Sequence, residues 1–97
     1  MYKVEGIGTD VLTRAMDYTV VDEVIQVDDR QAFLAARDLI LSEGLLAGGS
    51  SGSVVAAING LIPQLDTPKT IVTLLPDSAM RYLSKFLSDS WMQEQGF

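Results

Sequence analysis

Residues 48–53 read GGSSGS, three glycines and three serines between the apolar stretches LLA and VVAAI. Two kinds of segment share this composition: a flexible linker, and a turn whose bare backbone and hydroxyls meet a ligand. A linker separates self-sufficient units and begins and ends in polar residues. Here each flank is shorter than 50 residues, marginal for a core of its own, and is apolar right up to the motif. A ligand turn fits better. In such a turn Gly48 and Gly49 remove side chains, so that the backbone can approach a flat ligand. Ser50 or Ser51 caps the following helix while one hydroxyl points into the crevice. The free N–H groups of the first helical turn add partial positive charge. Composition alone leaves three uses open: an ordinary capped turn, a nest for a phosphate or carboxylate, or a contact to another polar ligand atom. It is not a P-loop, because the GxxxxGK[ST] spacing and its lysine are missing.

The other residue types narrow the chemistry by subtraction. The 97 residues include no cysteine and no histidine. That removes disulfides, thiolate metal sites, the commonest zinc ligand and the commonest general base. The serines of residues 50–53 therefore have no imidazole to activate them as nucleophiles. The acidic pairs Asp22/Glu23 and Asp28/Asp29 read as helix caps and a solvated face rather than metal ligands. Asp77 follows Pro76 at the end of an apolar run and reads as a helix cap rather than a base. Trp91 reads as packing, and Lys85 as a solvated or salt-bridged helix residue. No metal site is expected. The net charge is −6 and the basic residues are scattered, which argues against nucleic acid. The opening MYKVEG has no signal pattern, and no apolar run approaches the roughly 20 residues that cross a membrane. A soluble cytoplasmic protein is the expectation.

The elements that must position these residues alternate. Tyr2–Glu5, Thr19–Val27, Leu45–Ala47 and Thr70–Leu75 read as strands from their β-branched and apolar content. A helix is predicted over Arg30–Ser42, started by Asp28-Asp29 and ended at Gly44, with Phe33, Ala36, Leu39 and Ile40 on one face. A second runs through VVAAINGLI and stops at Pro63. A third follows Asp77 or Ser78 and carries Met80, Leu83, Phe86 and Leu87; Asp89 starts a final turn through Trp91 and Met92. Strand–helix alternation predicts an α/β fold with a mainly parallel sheet and helices against it. The ligand turn then lies at the carboxyl end of a strand, where open α/β sheets bind ligands.

Several stretches, in order along nearly the whole chain, carry a family resemblance. EGLLAGGSSGSVVAA, VEGIGTD at 4–10, TVVDEVIQVDDRQAFLAARDLI and LLPDSAMRYLSKFLSDSWM at 74–92 resemble the pyridoxal-phosphate β-family, the fold-type II enzymes. The last stretch is similar to the cystathionine β-synthase branch more than to the cysteine synthase branch. The resemblance implies a partial three-layer sandwich, residues 1–97 being the C-terminal portion of such a catalytic domain. It implies that Ser50 meets the pyridine nitrogen of pyridoxal 5′-phosphate, and that Gly6, Ile7 and Gly8 form the loop beside the ring and the substrate. Pro76 and Asp77 then shape the pocket near the ring nitrogen. Thr9 stands where many members of that branch carry an aromatic residue, which leaves the second substrate open.

No catalytic residue is assigned within the chain. The lysine that holds the cofactor has no counterpart, since Lys3, Lys69 and Lys85 stand in other contexts. The resemblance implies condensation of L-serine with L-homocysteine by an intact enzyme, the isolated chain being inactive. A cysteine synthase fragment and a non-catalytic α/β assembly module are the alternatives. Expected partners are the amino-acid substrates, the missing N-terminal part of the catalytic domain and a second copy in a homo-oligomer. Cover from absent chain is expected because VVAAI and TIVTLL have apolar residues on every side.

Overall fold

The computed structural model describes residues 2–97. Its best-defined local signal is the first helix, α1 (Asp29–Glu43). The Asp28 carboxylate accepts the Gln31 backbone N–H at 2.7 Å, and the Gln31 side-chain oxygen accepts the Asp28 N–H at 3.1 Å. This reciprocal cap satisfies two donors that a helix start otherwise leaves open. Gly44, at φ 69°, takes the left-handed conformation that ends the helix. Both ends thus agree with the predicted helix to within a residue. Asp29 does something the sequence did not suggest. Its carboxylate accepts the backbone N–H groups of Lys3 (2.8 Å) and Val4 (3.0 Å), fastening the N-terminal segment to the first turn of α1.

The second helix, α2 (Gly49–Leu61), begins five residues before the predicted Val54 and takes in the whole GSSGS stretch. Packing explains the low-propensity start. A Cβ on Gly52 would stand 2.0 Å from the Ala32 carbonyl oxygen and 2.7 Å from the Ala36 Cβ. The glycine therefore lets α2 lie almost on the backbone of α1. Pro63 then falls in a single 3-10 turn, Ile62–Gln64, that closes the helix. A short helix, α3 (Asp89–Gln95), is capped by Ser88 rather than Asp89, and Gly96 ends it.

The core forms around α1, between it, the 79–87 segment and α3. The Phe33 ring stacks on Phe86 at 5.3 Å between centroids, meets Trp91 edge-on at 5.4 Å and lies 5.6 Å from Phe97. Ala32, Ala36, Ala79, Met92 and Val4 complete the buried cluster. Outside it, Arg37 pairs with Asp89 and donates to the Phe86 carbonyl, tying α1 to α3.

The expected α/β sandwich with a mainly parallel sheet is overturned. Among the described residues the strand pairing is a single antiparallel bridge, Ala47 with Ser78, and regular structure is otherwise helical. Residues 70–75 have no strand neighbour; Val72 is 89% and Leu74 72% exposed. Thr19–Val27 opens in a 3-10 turn, Tyr18–Val20, and then runs without regular structure. β-branched content records what suits a pleated surface, but a strand exists only where another backbone satisfies its N–H and C=O groups. The helix expected after Ser78 shrinks to a 3-10 turn, Ala79–Tyr82, followed by turns to Leu87. Of its supposed inner face only Phe86 is fully buried, while Met80 and Leu83 are exposed.

Candidate functional site

The antiparallel bridge brings the glycine–serine turn against residues 77–82. The Gly48 N–H donates to the Asp77 carbonyl at 3.0 Å and the Ala79 N–H to the Leu46 carbonyl at 2.9 Å. Gly48 is the N-cap of α2 and supplies no side-chain cap. The first-turn N–H groups are consequently left for something outside the helix. Ser50 and Ser51 do not cap, contrary to expectation. They lie within the first turn and are buried, and the Ser51 hydroxyl has no hydrogen-bond partner among the described residues. Ser53 turns inward to the Gly49 carbonyl at 3.3 Å.

The two glycines at the mouth of α2 serve packing first. A Cβ on Gly48 would stand 1.9 Å from Asp77 Oδ1 and 3.1 Å from the Tyr82 ring. One on Gly49 would stand 3.0 Å from the Phe33 ring and 3.6 Å from Val4. Through Val4, the segment leading into Gly6–Gly8 therefore passes beside the turn. Gly6 (φ 87°) and Gly8 (φ 81°) adopt conformations open to glycine, and the Tyr2 ring packs on Gly8. The Tyr2 hydroxyl donates to Asp10 at 2.8 Å, closing the loop. A Lys85–Glu5 ion pair binds the same loop to the 77–87 segment. Ser50, Asp77 and the base of the Gly6–Ile7–Gly8 loop are thus gathered around one end of α2. Ile7 and Pro76 are exposed, and nothing among the described contacts brings Ile7 to Ser50.

Asp77 does not cap a helix; Ser78 does, accepting the Met80 N–H at 3.3 Å. Instead Asp77 Oδ2 accepts the Tyr82 hydroxyl at 2.6 Å, while Oδ1 is buried without a partner among the described residues. The hydrogen bond to Asp77, reinforced by burial and by the negative charges of Asp77 and Glu5, pushes the Tyr82 phenol up to about 12. The sequence offered no sign of Tyr82 beyond its spacing of five from Asp77. This pair carries a pH prediction. The unfolded chain releases the Tyr82 proton near pH 10, whereas the folded chain keeps it to about 12. The associated stability is complete below pH 10 and is lost as pH rises through about 12. After allowance for solvent screening it amounts to ~1 kcal/mol. Urea unfolding at pH 9.5 and 11.5 measures it, and Tyr82→Phe removes this part of the pH dependence.

Among the described residues no group of three or more carboxylates is placed to hold a metal, and no helix is long and apolar enough to cross a membrane. Asp28 caps α1 as expected and is exposed, whereas Asp29 is spent on the N-terminal backbone.

Comparison with known proteins adds a fold class and then particular relatives. The chain superposes on an O-ureido-L-serine-bound mutant of O-ureido-L-serine synthase with a TM-score of 0.83 and 27% identity, covering 99% of this chain and 32% of that one. Its sequence matches cystathionine beta-synthase of Oryctolagus cuniculus at 49% identity, of Mus musculus at 47% and of Dictyostelium discoideum at 43%, each over 96 residues. The match takes in 99% of this chain but only 17–19% of those relatives, so the chain spans under a fifth of their length. No family model matches.

Proposed function

We propose that these residues form the ring-nitrogen side of a cofactor site in a pyridoxal-phosphate-dependent β-replacement enzyme of the cystathionine β-synthase type. The carrying observation is the buried Ser50 at the uncapped mouth of α2, beside Asp77 and the Val4 segment that leads into Gly6–Gly8, in a chain 43–49% identical to cystathionine beta-synthases. The higher identity to these relatives than to O-ureido-L-serine synthase, at 27%, favours this chemistry over that of the structural neighbour.

The residues fit such a group. Two buried polar atoms without partners, Ser51 Oγ and Asp77 Oδ1, and a helix start without a side-chain cap mark the turn as built to meet something more. Pyridoxal phosphate, when bound, supplies the electron-withdrawing ring through which serine loses its hydroxyl and accepts a thiol. Ser50 would meet the ring nitrogen with a neutral hydroxyl. The positive end of α2 disfavours a proton on that nitrogen. The protein thus sets a moderate electron demand, which suits elimination and replacement over transamination. Gly6, Ile7 and Gly8 would border the ring and the amino-acid substrate, and Pro76 and Asp77 would shape the pocket near the ring nitrogen. In this reading the lysine that holds the cofactor, and the cover for exposed Val24, Val72 and Leu74, belong to the part of a full-length enzyme that the matched stretch does not span.

Co-expression with the part of a cystathionine β-synthase that precedes the matched stretch tests this. The complex is expected to retain pyridoxal phosphate and make cystathionine from serine and homocysteine. Ser50→Ala is expected to weaken cofactor retention about fivefold, the worth of one hydrogen bond. Ser50→Asp is expected to raise transamination at the expense of replacement. A cofactor-loaded complex that makes no cystathionine, or whose products and absorbance ignore both substitutions, contradicts the proposal.

A further inference from the structure

We infer that Tyr82 is a positioning residue for the mouth of α2, acting through Asp77; the link to a ligand rests on the Ser50 reading above. The Asp77 carboxylate stands between the phenol and the turn. One oxygen accepts the Tyr82 hydroxyl at 2.6 Å. The other is buried without a partner and lies 1.9 Å from the point where a Gly48 side chain would begin. The Tyr82 ring itself comes within 3.1 Å of that same point. Carboxylate and phenol together occupy the space that Gly48 leaves empty, and they wall the turn two residues before Ser50.

The phenol supplies the hydrogen bond that holds this carboxylate in place. With Oδ1 already buried without a donor, loss of the bond to Oδ2 would leave the carboxylate with no hydrogen bond from the described residues, which is costly. Without the phenol, Asp77 gains by swinging to water, and the wall over Gly48 goes with it. The two backbone bonds of the bridge, Gly48 N–H to Asp77 and Ala79 N–H to Leu46, then lose their lateral support. Tyr82 also reaches the second glycine segment. Lys85, whose ammonium lies 6.0 Å from the Tyr82 ring centroid, is paired with Glu5 beside Gly6. One phenol thus stands between the two segments whose relative placement decides what Ser50 faces.

Amide hydrogen exchange on the full chain tests the positioning. Tyr82→Phe is expected to speed exchange of the Gly48 and Ala79 amides at least tenfold, with the α1 amides of Ala36 and Ile40 unchanged. Tyr82→Phe combined with Asp77→Asn, which removes the stranded charge, is expected to return both amides to within threefold of the parent chain. Unchanged exchange at Gly48, or acceleration spread equally through α1, overturns the inference. In the reconstituted, pyridoxal-phosphate-loaded complex, Tyr82→Phe is expected to shift the cofactor absorbance band in the same direction as Ser50→Ala. A band that stays put while Gly48 exchange accelerates overturns the tie to the ligand. A band moved by Tyr82→Phe but not by Ser50→Ala sinks the Ser50 reading and leaves the positioning intact.

Discussion

Replacing Phe33 with alanine is expected to destabilise the chain by about 4 kcal/mol, a large part of what a domain of this size has to lose. Phe33 is buried on α1 and is the residue at which the other elements meet. Phe86 stacks on it, Trp91 meets it edge-on, Phe97 leans on it, and its ring fills the space over Gly49. Little volume can collapse into the void, because three of the six other buried core members are alanines. The cost therefore lies toward the upper part of the range for aromatic truncation. Trp91 is the sole tryptophan, so its fluorescence reports the loss directly. Urea titration followed by that fluorescence should show the alanine chain unfolding at far lower denaturant, with Phe33→Leu between the two. A loss below 2 kcal/mol would mean that the aromatic cluster is not the organising core.

Gly52→Ala is expected to cost ~3 kcal/mol net, although alanine is the better helix former. The new methyl would stand 2.0 Å from the Ala32 carbonyl oxygen, 2.7 Å from the Ala36 Cβ and 2.8 Å from the Ala36 nitrogen. Two of these are backbone atoms within a helix, so no rotamer change relieves the overlap. The helices must part by about 1.5 Å to restore ordinary contact distances, and the packing along their length loosens. Gly60→Ala in the same helix is the control. A methyl there meets nothing within 4 Å, so helix propensity alone acts and the chain gains up to about 1 kcal/mol. Thermal unfolding by circular dichroism should move the two midpoints in opposite directions. A neutral Gly52→Ala would show that α1 and α2 tolerate a wider spacing than the structure has.

What the sequence disclosed follows from how local each feature is. The α1 helix was legible because its determinants sit within a few residues of one another: Asp28 and Gln31 at one end, Gly44 at the other. The start of α2 was not, because GGSSGS is a poor helix by propensity and is helical through its contact with Ala32 and Ala36, distant in sequence. The strands were misread for the complementary reason. TIVTLL has strand composition, but pairing is a property of two segments, and the described chain supplies no second one. At the candidate site, the glycine and serine positions could be singled out from their types, but the reasons for the glycines could not. Gly48 is empty to admit Asp77, and Gly49 to admit Phe33. The Asp77–Tyr82 pair escaped notice because an aspartate after a proline looks like a helix cap, and Ser78 next to it took that role.

The aromatic cluster has a temporal consequence. One ring of it, Phe33, belongs to α1, whereas Phe86, Trp91 and Phe97 all lie in the last dozen residues described. A ribosome making this polypeptide therefore leaves Phe33 without its aromatic partners until residues 86–97 have cleared the exit tunnel. Over that interval α1 has the close packing of α2 alone to rest on, and its one large apolar ring waits for the last segment.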